Sequence, residues 1–225
     1  MTATAGPTMS RLLVLTDRTQ TGGRPLVDVV ASAIEGGARS FVFREKDLPA
    51  GERAALAADV RALVHEAGGL FLVASDPAIP SDGVHLATSD PFPSDRPFVL
   101  GGSCHSLPDV HAAEERGLDY VTLSPIFESA SKPGYGPPLG LQGQRDIVDE
   151  VLRIPIFALG GIDAEIANAC LRAGATGVAV MGEIMRSPDP ASTVAALLDA
   201  LGVTAAKLRP AARVVENVDL DGWTP

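Results

Sequence analysis

Ile156-Phe157-Ala158-Leu159-Gly160-Gly161 is an apolar run that stops on a glycine pair, and Gly177-Val178-Ala179-Val180-Met181-Gly182-Glu183 repeats the arrangement further on. Between them, residues 164–173 carry apolar side chains at helical spacing and are followed by Gly174. Neither apolar run alternates with polar residues. Continuous apolar character marks a parallel strand that has helices over one face and a barrel interior on the other. Gly174 stands where a helix end needs a left-handed residue, a conformation glycine adopts without a steric penalty. Residues 156–160, 164–173 and 177–182 therefore read as strand, helix, strand.

Outward from this stretch the same unit recurs. Further strands are expected at 12–16, 41–44, 70–75, 83–87, 98–103 and 120–125, which makes eight in all. Helical spacing returns at 26–35, 52–66, 108–116, 142–152 and 191–201, with glycine stops at Gly36, Gly68, Gly117 and Gly202. Repetition of strand, helix and glycine stop is the signature of βα units. The connections from strand 3 to strand 4 and from strand 4 to strand 5 are short, and 90–97 is rich in proline, so the helices around strands 3 to 5 are reduced or lost. A doubly wound sheet would carry a glycine-rich nucleotide fingerprint after its first strand, and Leu15-Thr16-Asp17-Arg18 has none. Eight strands favour closure, so the expected fold is a single-domain (β/α)8 TIM barrel over 11–203, with a flexible N-terminus at 1–10 and a tail at 204–225. Residues 214–220 are read as a further strand or a docking segment.

With 225 residues and 46% hydrophobic content the chain can bury one large core. Its formal net charge of −10 argues against nucleic acid and membrane surfaces as partners, while leaving room for a local anion pocket. Cys104 and Cys170 supply neither a disulfide framework nor metal-ligand spacing, which fits a reduced, cytoplasmic setting. No apolar run approaches the roughly 20 residues that span a bilayer. The first residues lack the basic-then-apolar order of a secretory leader.

In such a barrel the residues just past each strand meet around one mouth. Arg44 and Lys46 follow strand 2 one residue apart, so in extended backbone both point the same way and suit a diphosphate; an ion pair with Glu45 is the competing reading. Asp76 and Asp90 follow strands 3 and 4, where two carboxylates from neighbouring strand ends suit Mg²⁺, and where Asp before Pro is equally a turn residue. Ser103, Cys104, His105 and Ser106 close strand 5; His105 reads as a general acid or base or as a packed support, and Ser106 as a helix cap. His85 lies within strand 4 and reads as structural. The long loop after strand 6 carries Ser129, Ser131 and Lys132 among glycines, as a lid over an anionic substrate would. Gly160 and Gly161 after strand 7 and Gly182 after strand 8 fit the phosphate cradle that barrels build from these two loops, or else tight turns alone.

The ordered set Phe43-Arg44-Glu45-Lys46, Asp82-Gly83-Val84-His85-Leu86, Gly102-Ser103-Cys104-His105-Ser106, Asp119-Tyr120-Val121, Ser124-Pro125-Ile126-Phe127 with Ser131-Lys132, Ala158-Leu159-Gly160-Gly161-Ile162 and Gly177-Val178-Ala179-Val180-Met181 resembles the thiamine phosphate synthase and TenI superfamily over about residues 12–201. The resemblance implies a transferase that joins hydroxymethylpyrimidine diphosphate to thiazole phosphate and releases diphosphate. By position it assigns Arg44, Lys46 and Lys132 to the diphosphate and Asp76 and Asp90 to Mg²⁺. It gives Ser75, Ser103, Ser129 and Ser131 to substrate hydrogen bonds and Gly160, Gly161 and Gly182 to the thiazole phosphate, with Lys132, His105 and Ser103 in the catalytic set. Val42 stands where the synthase pattern has Gln, Ser75-Asp76-Pro77 where it has Asn-Asp-Arg, and Ala87-Thr88 where it has Gly-Gln. The Lys132-to-Gly136 stretch is similar to the TenI branch, whose implied activity is a metal-free thiazole tautomerase with His105 carrying the proton. A non-catalytic regulator that binds thiazole or thiamine phosphate is the third alternative. Paired subunits fit the family.

Overall fold

The computed structural model describes residues 9–203 apart from 132, 133, 135 and 152. The expectations for 1–8, for the tail at 204–225 and for Lys132 lie outside the described residues. Eight strands, β1 (Leu12–Leu15), β2 (Ser40–Phe43), β3 (Leu70–Ala74), β4 (Gly83–Leu86), β5 (Val99–Cys104), β6 (Tyr120–Leu123), β7 (Ile156–Leu159) and β8 (Gly177–Val180), pair in parallel and in chain order, and β8 closes onto β1 with Leu12 opposite Val178. The helices are α1 (Leu26–Glu35), α2 (Ala50–Glu66), α3 (Leu107–Glu115), α4 (Gly140–Glu150), α5 (Ala164–Arg172), α6 (Gly182–Met185) and α7 (Pro190–Ala200), with a 3₁₀ turn at Arg18–Gln20.

Period-two geometry divides each strand between two cores. Leu13, Leu15, Val42, Leu70, Leu72, Tyr120 and Phe157 fill the barrel interior, and Leu12, Val14, Phe41, Phe43, Phe71, Val121 and Leu123 pack outward beneath the helices. Burying each of these large side chains contributes about 1.5–3 kcal/mol. The Tyr120 ring lies flat against β5 at Gly101, where a β-carbon would overlap the ring. α1 packs on α2 and α7, and α7 on α5. The approach of α1 to α7 is close enough that a β-carbon at Gly36 would overlap the Ala191 backbone.

Neither β3 to β4 nor β4 to β5 is bridged by a helix, as the short connections imply. The outer face there carries only the small cluster of Val84, Leu86 and Leu100. Phe98, expected as the first residue of strand 5, precedes the strand and is 66% exposed. At the bottom of the barrel the Arg11 side chain donates from Nη1 to the Leu201 carbonyl, 3.0 Å, tying the start of β1 to the end of α7. Among the described residues no helix is long and apolar enough to cross a membrane.

Candidate active site

A cavity of about 810 Å³ opens at the C-terminal ends of the strands. Arg44, Lys46, Ser103, His105, Ser129, Ser131, Gly160, Gly161 and Gly182 all line it. Arg44 and Lys46 continue the inward phase set by Val42, so both side chains enter the mouth. Glu45 takes the opposite phase: it is buried, and its Oε2 accepts the Arg18 N–H at 3.0 Å. It is thus no ion-pair partner for its two neighbours. Arg44 also reaches across the mouth to the Met181 sulfur.

Ser75, Asp76 and Asp90 are not part of the cavity lining; two of them connect to it through Lys46. Lys46 Nζ donates to Ser75 Oγ at 2.5 Å, and Ser75 Oγ donates in turn to Asp90 Oδ2, which also accepts the Ala87 N–H at 2.7 Å. Burial works to raise the Asp90 pKa, but the hydrogen bonds from Ser75 and Ala87 and the Lys46 charge outweigh it and hold the carboxyl below its ordinary value. Ser75 adopts the left-handed backbone at φ 64°. Asn visits that region far more readily than Ser, so the Asn of the synthase pattern relieves a strain that this chain carries. Asp76 pairs through Oδ2 with Arg53 Nη1 at 3.0 Å, and its Oδ1 accepts the Ala78 N–H at 3.1 Å. Val42 is fully buried beneath the cavity and does not line it.

The floor is a column of three hydrogen-bonded groups. His85 Nδ1 meets the Tyr120 hydroxyl at 2.9 Å, and His85 Nε2 meets Ser103 Oγ at 3.0 Å. Burial, then the charges of Arg44 and Lys46, push the His85 pKa down to about 3 against the opposing pull of Asp90, so the ring is neutral. Burial pushes the Tyr120 pKa well up, so its hydroxyl keeps its proton. A buried hydroxyl hydrogen needs an acceptor, and Nδ1 is the one beside it. The proton of His85 therefore sits on Nε2 and is donated to Ser103, which leaves the Ser103 O–H to point into the cavity.

His105 donates from Nδ1 to the Ser124 carbonyl at 2.8 Å, which makes Nε2 the basic nitrogen, and its backbone N–H is held by Asp109 at 2.9 Å. Ser106 is the N-cap of α3, where its side chain accepts from the Asp109 N–H. Cys104 is buried, and burial first, then Asp109, push its thiol up to about 12, so it is no nucleophile at neutral pH. Gly160 and Gly161 both adopt positive φ, 106° and 62°, and a β-carbon at Gly161 would overlap the Glu128 carbonyl, so the turn after β7 lies against the loop after β6.

Two lining residues, His85 and Arg186, and Gln20 beside them had no part in the sequence-based site. His85 was placed correctly within strand 4, but the inward phase it shares with Gly83 is what sets its ring on the cavity floor. Arg186 lies one helical turn after Gly182, a spacing visible in the sequence. Gln20, on the turn after β1, carried no local signal. It reaches the Ser131 hydroxyl and Arg186 because closure sets β1 beside β8. Among the described residues no group of three or more His, Cys, Asp or Glu is arranged to hold a metal ion.

The family model described as "Thiamine monophosphate synthase" matches residues 12–184. The thiamine-phosphate synthase of Roseiflexus sp. (strain RS-1) is 35% identical over 196 residues, 82% of each chain. That of Moorella thermoacetica is 36% identical over 181 residues, 76% of this chain and 86% of its own. A solved structure, thiamine phosphate pyrophosphorylase from Pyrococcus furiosus, superimposes with a TM-score of 0.75 at 31% identity, covering 85% of this chain and 95% of its own.

Proposed function

This chain belongs to the thiamine monophosphate synthase family, and from that premise we propose that its cavity joins hydroxymethylpyrimidine diphosphate to thiazole phosphate and releases diphosphate. The observation that carries the reading is the meeting of Arg44, Lys46 and the two glycine turns on one cavity. In the reaction the CH₂–O bond to the diphosphate breaks with its electron pair leaving on oxygen. The thiazole nitrogen supplies the pair for the new C–N bond.

Arg44 and Lys46 bind the departing diphosphate and favour the charge that builds on it as the bond breaks. Ser103, oriented by His85, adds a donor from the floor. Gly160, Gly161 and Gly182 let backbone N–H groups approach the thiazole phosphate, which fixes the attacking nitrogen relative to the carbon it attacks. Ser129 and Ser131, on the loop after β6, supply hydroxyl groups to the anions, and Lys132 is assigned to the diphosphate by its place in the sequence.

Asp76 and Asp90 fit Mg²⁺ in donor chemistry. Both offer hard carboxylate oxygen, Asp90 is held ionised, and the hydrogen bonds it accepts from Ser75 and Ala87 both fall on Oδ2. Bound Mg²⁺ neutralises diphosphate charge and makes it a better leaving group.

The test is incubation of the protein with both substrates and Mg²⁺. Thiamine phosphate and diphosphate form in equal amounts, and chelation of the metal lowers the rate at least tenfold. A folded protein that forms no thiamine phosphate overturns the proposal. The TenI-like reading has one specific support, the basic Nε2 of His105 at the cavity wall. Turnover of the thiazole carboxylate phosphate tautomer, abolished in His105→Ala, identifies that activity separately.

A further inference from the structure

The thiazole phosphate half of the cavity presents an electrostatic problem. Glu128, Asp163 and Glu183 line it beside the glycine turns. Three carboxylates thus share the lining with the place of a phosphate monoester, so a cation beside the backbone N–H groups would strengthen its binding there. Among the described residues the lysines and arginines that line the cavity are Arg44, Lys46 and Arg186. The first two sit at the end of β2, and Arg186 follows α6 on the β8 side.

The placement of Arg186 is specific. Its guanidinium and the Ser131 hydroxyl lie so close over Gly182 that a β-carbon there would overlap both. A side chain at 182 would therefore have to displace the guanidinium from where it stands over the cradle. The guanidinium is held by neutral acceptors: it donates from Nη1 to Gln20 Oε1 and, at 2.9 Å, to Ser131 Oγ. Asp17 fixes the sense of the Gln20 amide, because Gln20 Nε2 donates to Asp17 Oδ2 at 2.7 Å and the carbonyl must then face Arg186. Asp17 itself stays ionised. Burial works to raise its pKa, but hydrogen bonds from Thr19 and Gln20 and the charge of Arg44 bring it below the ordinary value. No carboxylate pairs with Arg186 among the described residues.

We infer that Arg186 is the cation that binds the phosphate of the thiazole substrate, with Gln20 and Ser131 holding its head group over Gly182 until the phosphate arrives. This rests on the synthase reading for the identity of the substrate, while the phosphomonoester specificity rests on the side chains alone. A guanidinium held by an amide carbonyl and a hydroxyl exchanges them readily for a dianion, because the dianion adds ion-pair attraction and two-pronged acceptance that neutral oxygens do not offer. Selectivity then comes from the cation: an uncharged thiazole alcohol gains nothing from Arg186.

Calorimetric titration with thiazole phosphate and with its dephosphorylated alcohol reads the inference without turnover. The unmodified protein prefers the phosphate at least tenfold, Arg186→Met loses most of that preference, and Arg186→Lys keeps part of it. Gly182→Ala, which crowds the guanidinium without removing it, lowers the preference in the same direction. In the coupled assay Arg186→Met raises the KM for thiazole phosphate about tenfold and leaves the KM for the pyrimidine diphosphate within twofold. An unchanged preference in Arg186→Met, no preference in the unmodified protein, or an effect confined to the diphosphate KM overturns the inference. Phosphate-selective binding that depends on Arg186 without formation of thiamine phosphate overturns the synthase reading and leaves this one standing.

Discussion

At the scale of single residues, the column Tyr120, His85, Ser103 shows how burial converts a titratable ring into a fixed dipole. His85 is neutral when folded down to about pH 3, whereas in the unfolded chain it takes up a proton near the ordinary histidine value of 6.5. Between those two values the unfolded state binds the extra proton, so stability falls as pH falls through the window and this group contributes no pH dependence above it. The slope approaches about 1.4 kcal/mol per pH unit well below 6.5. Urea unfolding of His85→Gln beside the unmodified protein at pH 7, 6, 5 and 4 checks this. The variant has the shallower decline, and the two curves converge as pH falls. Parallel curves would mean that the ring is protonated in the folded state. The neighbouring Asp90 behaves differently, since there hydrogen bonding favours the charged form.

At the scale of elements, glycine positions separate close packing from local flexibility. A β-carbon at Gly36 would overlap the Ala191 backbone between α1 and α7, whereas at Gly51, inside α2, it meets nothing. Gly36→Ala therefore destabilises by about 1–3 kcal/mol as the helices are pushed apart. Gly51→Ala stabilises by about 0.5–1 kcal/mol through helix propensity. Chemical denaturation midpoints of the two variants, moving in opposite directions, test the assignment. All eight strands were legible in the sequence, most of them because a strand covered on both faces is an uninterrupted apolar run, and the missing helices were legible because too few residues separate β3, β4 and β5 to form them. Strand ends were less so: Phe98 has strand character in the sequence yet stands mostly in solvent, because no helix covers that flank. Within the site, the cations of β2 and the glycines after β7 and β8 could be read locally. Arg186 and Gln20 could not be read together, since one follows β8 and the other β1, and only three-dimensional closure makes them neighbours. Ser75 was read as a substrate contact; that it also links Lys46 to Asp90 could not be read from the sequence.

At the scale of the whole molecule, a chain of net charge −10 gathers Arg44, Lys46 and Arg186 at one opening. Attraction between these side chains and anionic substrates is screened where the mouth meets solvent. The apparent KM values therefore rise with ionic strength more steeply than kcat falls, and steady-state assays across a salt series check this. The Arg11 to Leu201 hydrogen bond has a different bearing. Because the first strand and the last helix are already in touch, the folded ring of strand pairings can be joined there and cut elsewhere. A circular permutant in which a short glycine–serine linker runs from Val203 to Met9, with new ends opened between Pro93 and Ser94 on the helix-free flank, keeps every strand pairing while changing the order of synthesis. Its melting curve, set beside that of the parent, shows whether the ring or the chain order is the unit that folds.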